Sequence, residues 1–273
     1  MNKRVSIKLY ISGISLLVVT SFFVITTNAA QVFSYHCPLS CPHHETPNKT
    51  SIIVRANYTL SNNHQTKFSD WVAYKIEPRN FGSAKPRNWK KEPWIDDEVT
   101  LNPDDYKGAY FELDTDRGHM VPLASFSNTD EWEETNLLTN IVPQKKGFNR
   151  GIWSVLEDKV RVYSISAKSG VYVLAGALKT NYFSDKMKLP NTKKEHTIPS
   201  FFWKVIYEIK DRDVEYVAFG FEMIEPYKYS ANICDYTISI EDIESLTDIT
   251  LFPRAQGVKP SSVISNSFNC VSN

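Results

Sequence analysis

The sequence has no excess of charge of either sign, its 31 Lys and Arg being matched by 31 Asp and Glu. Without a global positive field, any nucleic-acid partner would have to be held by a local site, so net charge nominates none. The chain also lacks a repeat period, a low-complexity tract and a Gly/Ser linker, and has only 10 glycines and 14 prolines in 273 residues. Disordered, collagen-like and coiled-coil readings are thereby excluded. A further absence is local: no charged side chain occurs between Lys8 and Glu45.

That uncharged stretch follows a basic head of Lys3, Arg4 and Lys8, is apolar from Leu9 to Ile25, and ends in the small residues of Thr27-Asn28-Ala29-Ala30. The pattern predicts a signal peptide over residues 1–29, cleaved near Ala29/Ala30. A retained membrane anchor is the alternative, because the run is long for a signal and close to the lower limit of a spanning helix. Cleavage removes three basic and no acidic residues, leaving 28 basic against 31 acidic groups. No second run is long enough to span a bilayer, so the cleaved chain is expected to be secreted, passing through a periplasm, with no stable membrane association.

Four cysteines, Cys37, Cys41, Cys234 and Cys270, suggest two disulfides in an exported chain. Three pairings exist; closeness in sequence favours Cys37 with Cys41 and Cys234 with Cys270. A zinc site of Cys37, Cys41, His43 and His44 is the rival, weakened by the tight spacing of adjacent histidines and by the oxidising compartment.

Residues 30–273 read as a single domain. Candidate strands are Ile52–Thr59, Trp71–Ile76, Val171–Ala177, Phe202–Ile209 and Glu215–Phe221, rich in β-branched and aromatic residues. One helix is expected from near Asn149, where Ile152, Trp153, Leu156, Val160 and Tyr163 recur at helical spacing, and another from Ser239 as its cap. Strands broken by a few helices, without regular βαβ alternation, predict an α+β fold with a mainly antiparallel sheet.

Residues suited to chemistry concentrate between Asp114 and Glu157, in a strand, loop and helix. Phosphodiester hydrolysis needs a base for the attacking water, neutralisation of the phosphoryl oxygens and stabilisation of the leaving 3′ oxygen. His119 has a side chain whose ordinary pKa suits the base, and Asn149 offers a neutral oxygen for a hard cation such as Mg²⁺. Glu157 lies eight residues beyond Asn149, about 12 Å along a continuous helix, so direct ligation of one ion by both is disfavoured and a role through the metal's waters is expected. Its alternative partner is Arg161, four residues on.

The stretch DRGHMVPLASF, followed by TNIVPQ, FNRGIW and LEDKVR, closely resembles the DNA/RNA non-specific endonuclease family, above all its secreted Serratia nuclease type. The likeness extends upstream through TKFSDWVAY and RNWK and downstream through LPNTKKEHTIPSFFWKVI. DRGH alone would arise by chance in roughly one chain of this length in a thousand, but its ordered companions make coincidence negligible. The resemblance implies a ββα-metal nuclease fold and a Mg²⁺-dependent endonuclease acting on DNA and RNA, with Mn²⁺ as a substitute ion and 5′-phosphate products. It implies His119 as general base, Asn149 as the direct metal ligand, Glu157 acting on the metal's waters, Arg87 steadying the transition state, and Arg117, Asn140 and Arg161 as helpers. The family's disulfide pattern also supports the two pairings above.

Each assignment has a plainer rival. Arg87 sits among lysines that could form only a solvated loop, Asn140 could simply hold the turn before Pro143, and Asp116 reads as a buttress of its loop. Lys145-Lys146 and Lys193-Lys194 could grip phosphates or be ordinary surface charge. His196 reads as structural. A non-catalytic nucleic-acid-binding or surface protein remains the rival from a different class, and a homodimer is compatible with a sequence that shows no patch marking one.

Overall fold

Period-2 alternation of large apolar side chains along the strands places two apolar layers on opposite faces of one sheet. The computed structural model describes residues 31–46, 48–180, 187–223 and 231–270; the expected signal peptide lies outside them. The first strands are β1 (His43–His44), β2 (Thr50–Val54), β3 (Thr59–Asn63) and β4 (Ser69–Ile76). After a long connection come the short helix α1 (Ala109–Glu112), β5 (Thr115–His119), β6 (Ile141–Lys145), α2 (Lys146–Phe148) and α3 (Ser154–Ser166). The chain continues through β7 (Val171–Leu178), β8 (Phe201–Lys210), β9 (Asp213–Glu222), α4 (Ile240–Thr247), β10 (Ile249–Thr250), β11 (Gly257–Pro260) and α5 (Ser262–Ser267).

Seven strands form the main sheet in the order β11-β9-β8-β7-β4-β3-β2, antiparallel except where β11 joins β9. On one face, Val72 and Tyr74 of β4, Phe202 and Ile206 of β8, and Phe219 and Phe221 of β9 pack with Trp153, Leu156 and Val160. On the other, Trp71, Trp203, Val205 and Tyr207 pack with Ile240 and Ile243 of α4. Each large apolar side chain so buried contributes about 1.5–3 kcal/mol relative to exposure. Lys204 occupies the alternating position between Phe202 and Ile206 and is fully buried. A cation there costs several kcal/mol in desolvation unless it is paired, so its surroundings must supply a partner.

The mainly antiparallel α+β architecture matches the expectation. The run Ile52–Thr59 is not one strand: it turns at Arg55-Ala56-Asn57-Tyr58, where the Arg55 N–H bonds the Tyr58 carbonyl, and separates β2 from β3. Ser239 caps α4 by accepting from the Asp242 N–H at 3.0 Å. Both disulfides, Cys37–Cys41 and Cys234–Cys270, are present, so no thiolate remains for the zinc reading. Among the described residues no helix is long and apolar enough to cross a membrane.

Candidate active site

The DRGH residues lie on β5, which pairs antiparallel with β6 and sets His119 opposite Ile141. Gly118 is required by packing: a Cβ there would lie 2.0 Å from Oε1 of the buried Gln144. Beyond β6, the chain turns through Asn149–Trp153 and enters α3, with Trp153 donating its indole N–H to the His119 carbonyl at 3.3 Å. Strand end and helix start are thereby fastened together.

His119 is half-buried, and its Nε2 lies 3.2 Å from Asn136 Oδ1. The amide nitrogen of Asn136 donates to the Pro86 carbonyl at 3.3 Å, which fixes the oxygen towards the ring. Nε2 must then carry the proton, and Nδ1 keeps its lone pair. Burial, together with the nearby Arg87 guanidinium, overcomes the Asn136 bond and lowers the imidazole pKa from 6.5 to about 4. The ring is a neutral acceptor across the ordinary pH range.

Asn149 donates through Nδ2 to Asp116 Oδ2 at 3.0 Å, leaving its amide oxygen able to accept a cation. Asp116 also takes two 2.7 Å bonds from Arg150. Burial pushes the Asp116 carboxyl up, but Arg150, Asn149 and Lys146 outweigh it and hold the group ionised, below its usual pKa. It lies on β5 and buttresses Asn149, not only its own loop.

Glu157 pairs with Lys204 at 3.5 Å rather than with Arg161, which pairs with Asp158. Lys204 Nζ also lies 4.0 Å from the centre of the Trp153 ring. Burial pushes the glutamate up and the lysine down to about 8, and their mutual attraction opposes both shifts. The assumption of one continuous helix from Asn149 to Glu157 is also corrected: Gly151, at φ −98 and ψ −114, leaves helical geometry between them. Both side chains can therefore line the same cleft.

That cleft, about 510 Å³, brings together six of the seven expected residues: Arg87, Arg117, His119, Asn149, Glu157 and Arg161. Arg87 is exposed and has no ion-pair or hydrogen-bond partner among the described residues, unlike a cation engaged in surface pairing. Arg117 lies between the rings of Trp89 and Tyr106, at 5.5 and 5.4 Å, and donates to the Pro103 carbonyl at 2.7 Å. Arg161 has a buried Nη1 without a hydrogen-bond partner.

Asn140 is not in the cleft. Fully buried, it accepts from the Val121 N–H at 2.8 Å and donates to the Val121 and Thr135 carbonyls at 3.0 and 2.9 Å. It holds the backbone after the histidine, a structural role at Val121 and not at the turn before Pro143. Two residues were missed. Asn136 belongs to the first of two Thr-Asn pairs in TNLLTN, and Lys204 is a lone cation in the apolar run FFWKVIY. Of the suspected phosphate grips, Lys194 donates to the Asp97 and Thr100 carbonyls and Lys145 to that of Leu113. His196 is structural, accepting the Leu189 N–H at 2.8 Å.

Comparison with known proteins gives the family of the chain. The profile of the DNA/RNA non-specific endonuclease family matches residues 38–257. A nuclease of Serratia marcescens is 42% identical over 219 residues, 80% of each chain. A nuclease of Nostoc sp. is 29% identical over 187 residues, 66% of this chain and 64% of its own. The human mitochondrial nuclease EXOG is 26% identical over 219 residues, 72% of this chain and 56% of its own. In fold, the chain is similar to one in the crystal structure of the EndoG/EndoGI complex, with a TM-score of 0.65 and 21% identity, covering 78% of this chain and 92% of that one. The β5–β6 hairpin followed by α3, set on a mainly antiparallel sheet, is the ββα-metal nuclease arrangement. A family profile over most of the chain and 42% identity across four-fifths of it carry one conclusion: this chain belongs to the DNA/RNA non-specific endonuclease family.

Proposed function

We propose that the protein is an exported, Mg²⁺-dependent endonuclease that cuts DNA and RNA, single- or double-stranded, with little sequence preference, leaving 5′-phosphate ends. The reading rests chiefly on one observation: His119, its proton fixed on Nε2 by Asn136, shares a cleft with the free amide oxygen of Asn149, with Glu157 and with the unpaired Arg87.

The donors suit a hard cation, which takes oxygen ligands and retains several waters. Asn149 would be its direct protein ligand. Glu157, which lines the same cleft and is paired through Oε1 with Lys204, would orient the ion's waters. When bound, Mg²⁺ supplies positive charge to the phosphoryl oxygens and eases departure of the 3′ oxygen, and Mn²⁺ could do the same.

His119 Nδ1 accepts the proton of the attacking water. Arg87 spans phosphate oxygens with its planar guanidinium, while Arg117 and Arg161 add charge along the cleft wall. A site built on phosphate contacts carries no base information, hence the lack of sequence preference. Export is supported by the uncharged N-terminal run and by two disulfides, which persist in oxidising compartments.

The purified protein is incubated with plasmid DNA and with RNA, each with Mg²⁺ or with EDTA, beside His119→Ala. Metal-dependent degradation of both polymers by the wild type alone is expected. Binding without cleavage would overturn the catalytic reading in favour of a binding protein.

A further inference from the structure

Phe111 is 85% exposed, the most exposed of the large apolar side chains among the described residues, and no packing role accounts for it. It stands edge-on to Tyr110, with ring centres 4.9 Å apart at 82°, on the short helix α1 that leads into β5. Tyr110 has Lys146 Nζ 3.5 Å and the Arg150 guanidinium 5.8 Å from its ring centre. Those cations are held in place by Asp114 and Asp116, at 3.0 and 2.7 Å. Tyr110 also lines a groove of about 290 Å³ that shares Trp89, Asp116 and Arg117 with the catalytic cleft.

An exposed aromatic pair, flanked by oriented cations and continuous with a phosphate-cutting cleft, has the features of a stacking platform for unpaired bases. We infer that Tyr110 and Phe111 form a base-stacking subsite for single-stranded DNA or RNA, engaging a nucleotide that flanks the bond being cut. The inference rests on the nuclease reading and gives it a strand preference. In a duplex the bases stack on one another and present only edges and phosphates, whereas a single strand can lay a base face on Phe111. Because Lys146 and Arg150 are already paired with carboxylates, the subsite adds stacking rather than phosphate neutralisation. The salt dependence of binding is then set elsewhere in the cleft.

The test compares wild type, Phe111→Ala and Phe111→Trp on a mixed-sequence single-stranded oligonucleotide and on a duplex of equal length, across a salt series. The side chain is exposed, so both variants should fold as the wild type does. Phe111→Ala is expected to raise KM for the single strand about 5- to 150-fold, the range that stacking of one base supplies. Duplex KM, kcat on both substrates and the salt slope should stay unchanged, and Phe111→Trp should retain or lower the single-strand KM. An unchanged single-strand KM, or an equal rise on both substrates, would overturn the subsite. So would loss of self-association or of binding to anionic vesicles in Phe111→Ala with single-strand KM unaltered, since the patch would then serve a second copy or a lipid surface. A wild type that cuts neither substrate would instead refute the nuclease reading itself.

Discussion

Asn136 Oδ1 faces His119 Nε2 at 3.2 Å because the same amide donates to the Pro86 carbonyl on its other side. Tautomer and ring orientation are thus set by the short 3-10 helix that ends at Asn136 and not by the strand that carries the histidine. Asn136→Ala should lower kcat by about 10²-fold, the lower edge of what a general base contributes, with little change in KM. Steady-state kinetics on a defined oligonucleotide would show this; an unchanged kcat would remove Asn136 from the catalytic arrangement.

The His119 pKa is lowered from 6.5 to about 4, so the base stays neutral as pH falls through 6.5. Below 6.5 the unfolded chain takes up a proton that the folded ring refuses, so folding stability declines between 6.5 and about 4 and is level below that window. The acid limb of kcat/KM should therefore lie below 6.5, and His119→Gln should lose less thermal stability than the wild type across the window. A single inflection at 6.5 in the activity profile would contradict the burial argument.

Asp116 holds the Asn149 amide nitrogen and so keeps its oxygen directed away from the strand. In Asp116→Ala both Asn149 and Arg150 lose that anchor, and the Mg²⁺ concentration giving half-maximal activity should rise about 10- to 100-fold. Activity at saturating Mg²⁺ should recover much of the loss. Titration of activity with Mg²⁺ separates this from a folding defect, which no amount of metal would repair.

Lys204 and Glu157 form a buried pair beneath the cleft, with the lysine fully buried and the glutamate side chain 16% exposed. Lys204→Met strands the carboxylate, and breaking such a pair should destabilise the fold by about 3–5 kcal/mol. Adding Glu157→Gln removes the stranded charge and should restore most of the stability while leaving activity low. Urea denaturation of the single and double variants measures this; a double variant no more stable than the single would show that the pair is not the source of the loss.

The sheet was legible because four of its strands, β4, β7, β8 and β9, carry apolar and β-branched runs of six to eight residues, as in Val171–Ala177 and Phe202–Ile209. The β2–β3 turn was not, because Arg55-Ala56-Asn57-Tyr58 contains neither glycine nor proline and its bend is held by the Arg55–Tyr58 bond, with Asn57 donating to the Glu131 carbonyl. The catalytic cluster was legible where chemistry and sequence proximity coincide, as in Asp116-Arg117-Gly118-His119 and Asn149. It failed at TNLLTN, where two Thr-Asn pairs four residues apart have equal claims and only the fold turns Asn136 to the ring and Asn140 to the backbone of Val121.

Residue chemistry, strand alternation and the DRGH motif with its ordered companions are written in the linear chain, since these depend on side-chain type and local spacing. Tertiary structure alone decided which groups share a desolvated cleft. The break at Gly151 brings Glu157 to the cleft lined by Asn149, Lys204 rises from β8 beneath it, and residues 86–89 bring Arg87 and Trp89 across to His119. Burial and charge pairing act through space over a few ångströms, so the lowered pKa of His119 and the pairing of Glu157 arise only when segments distant in the chain are brought together.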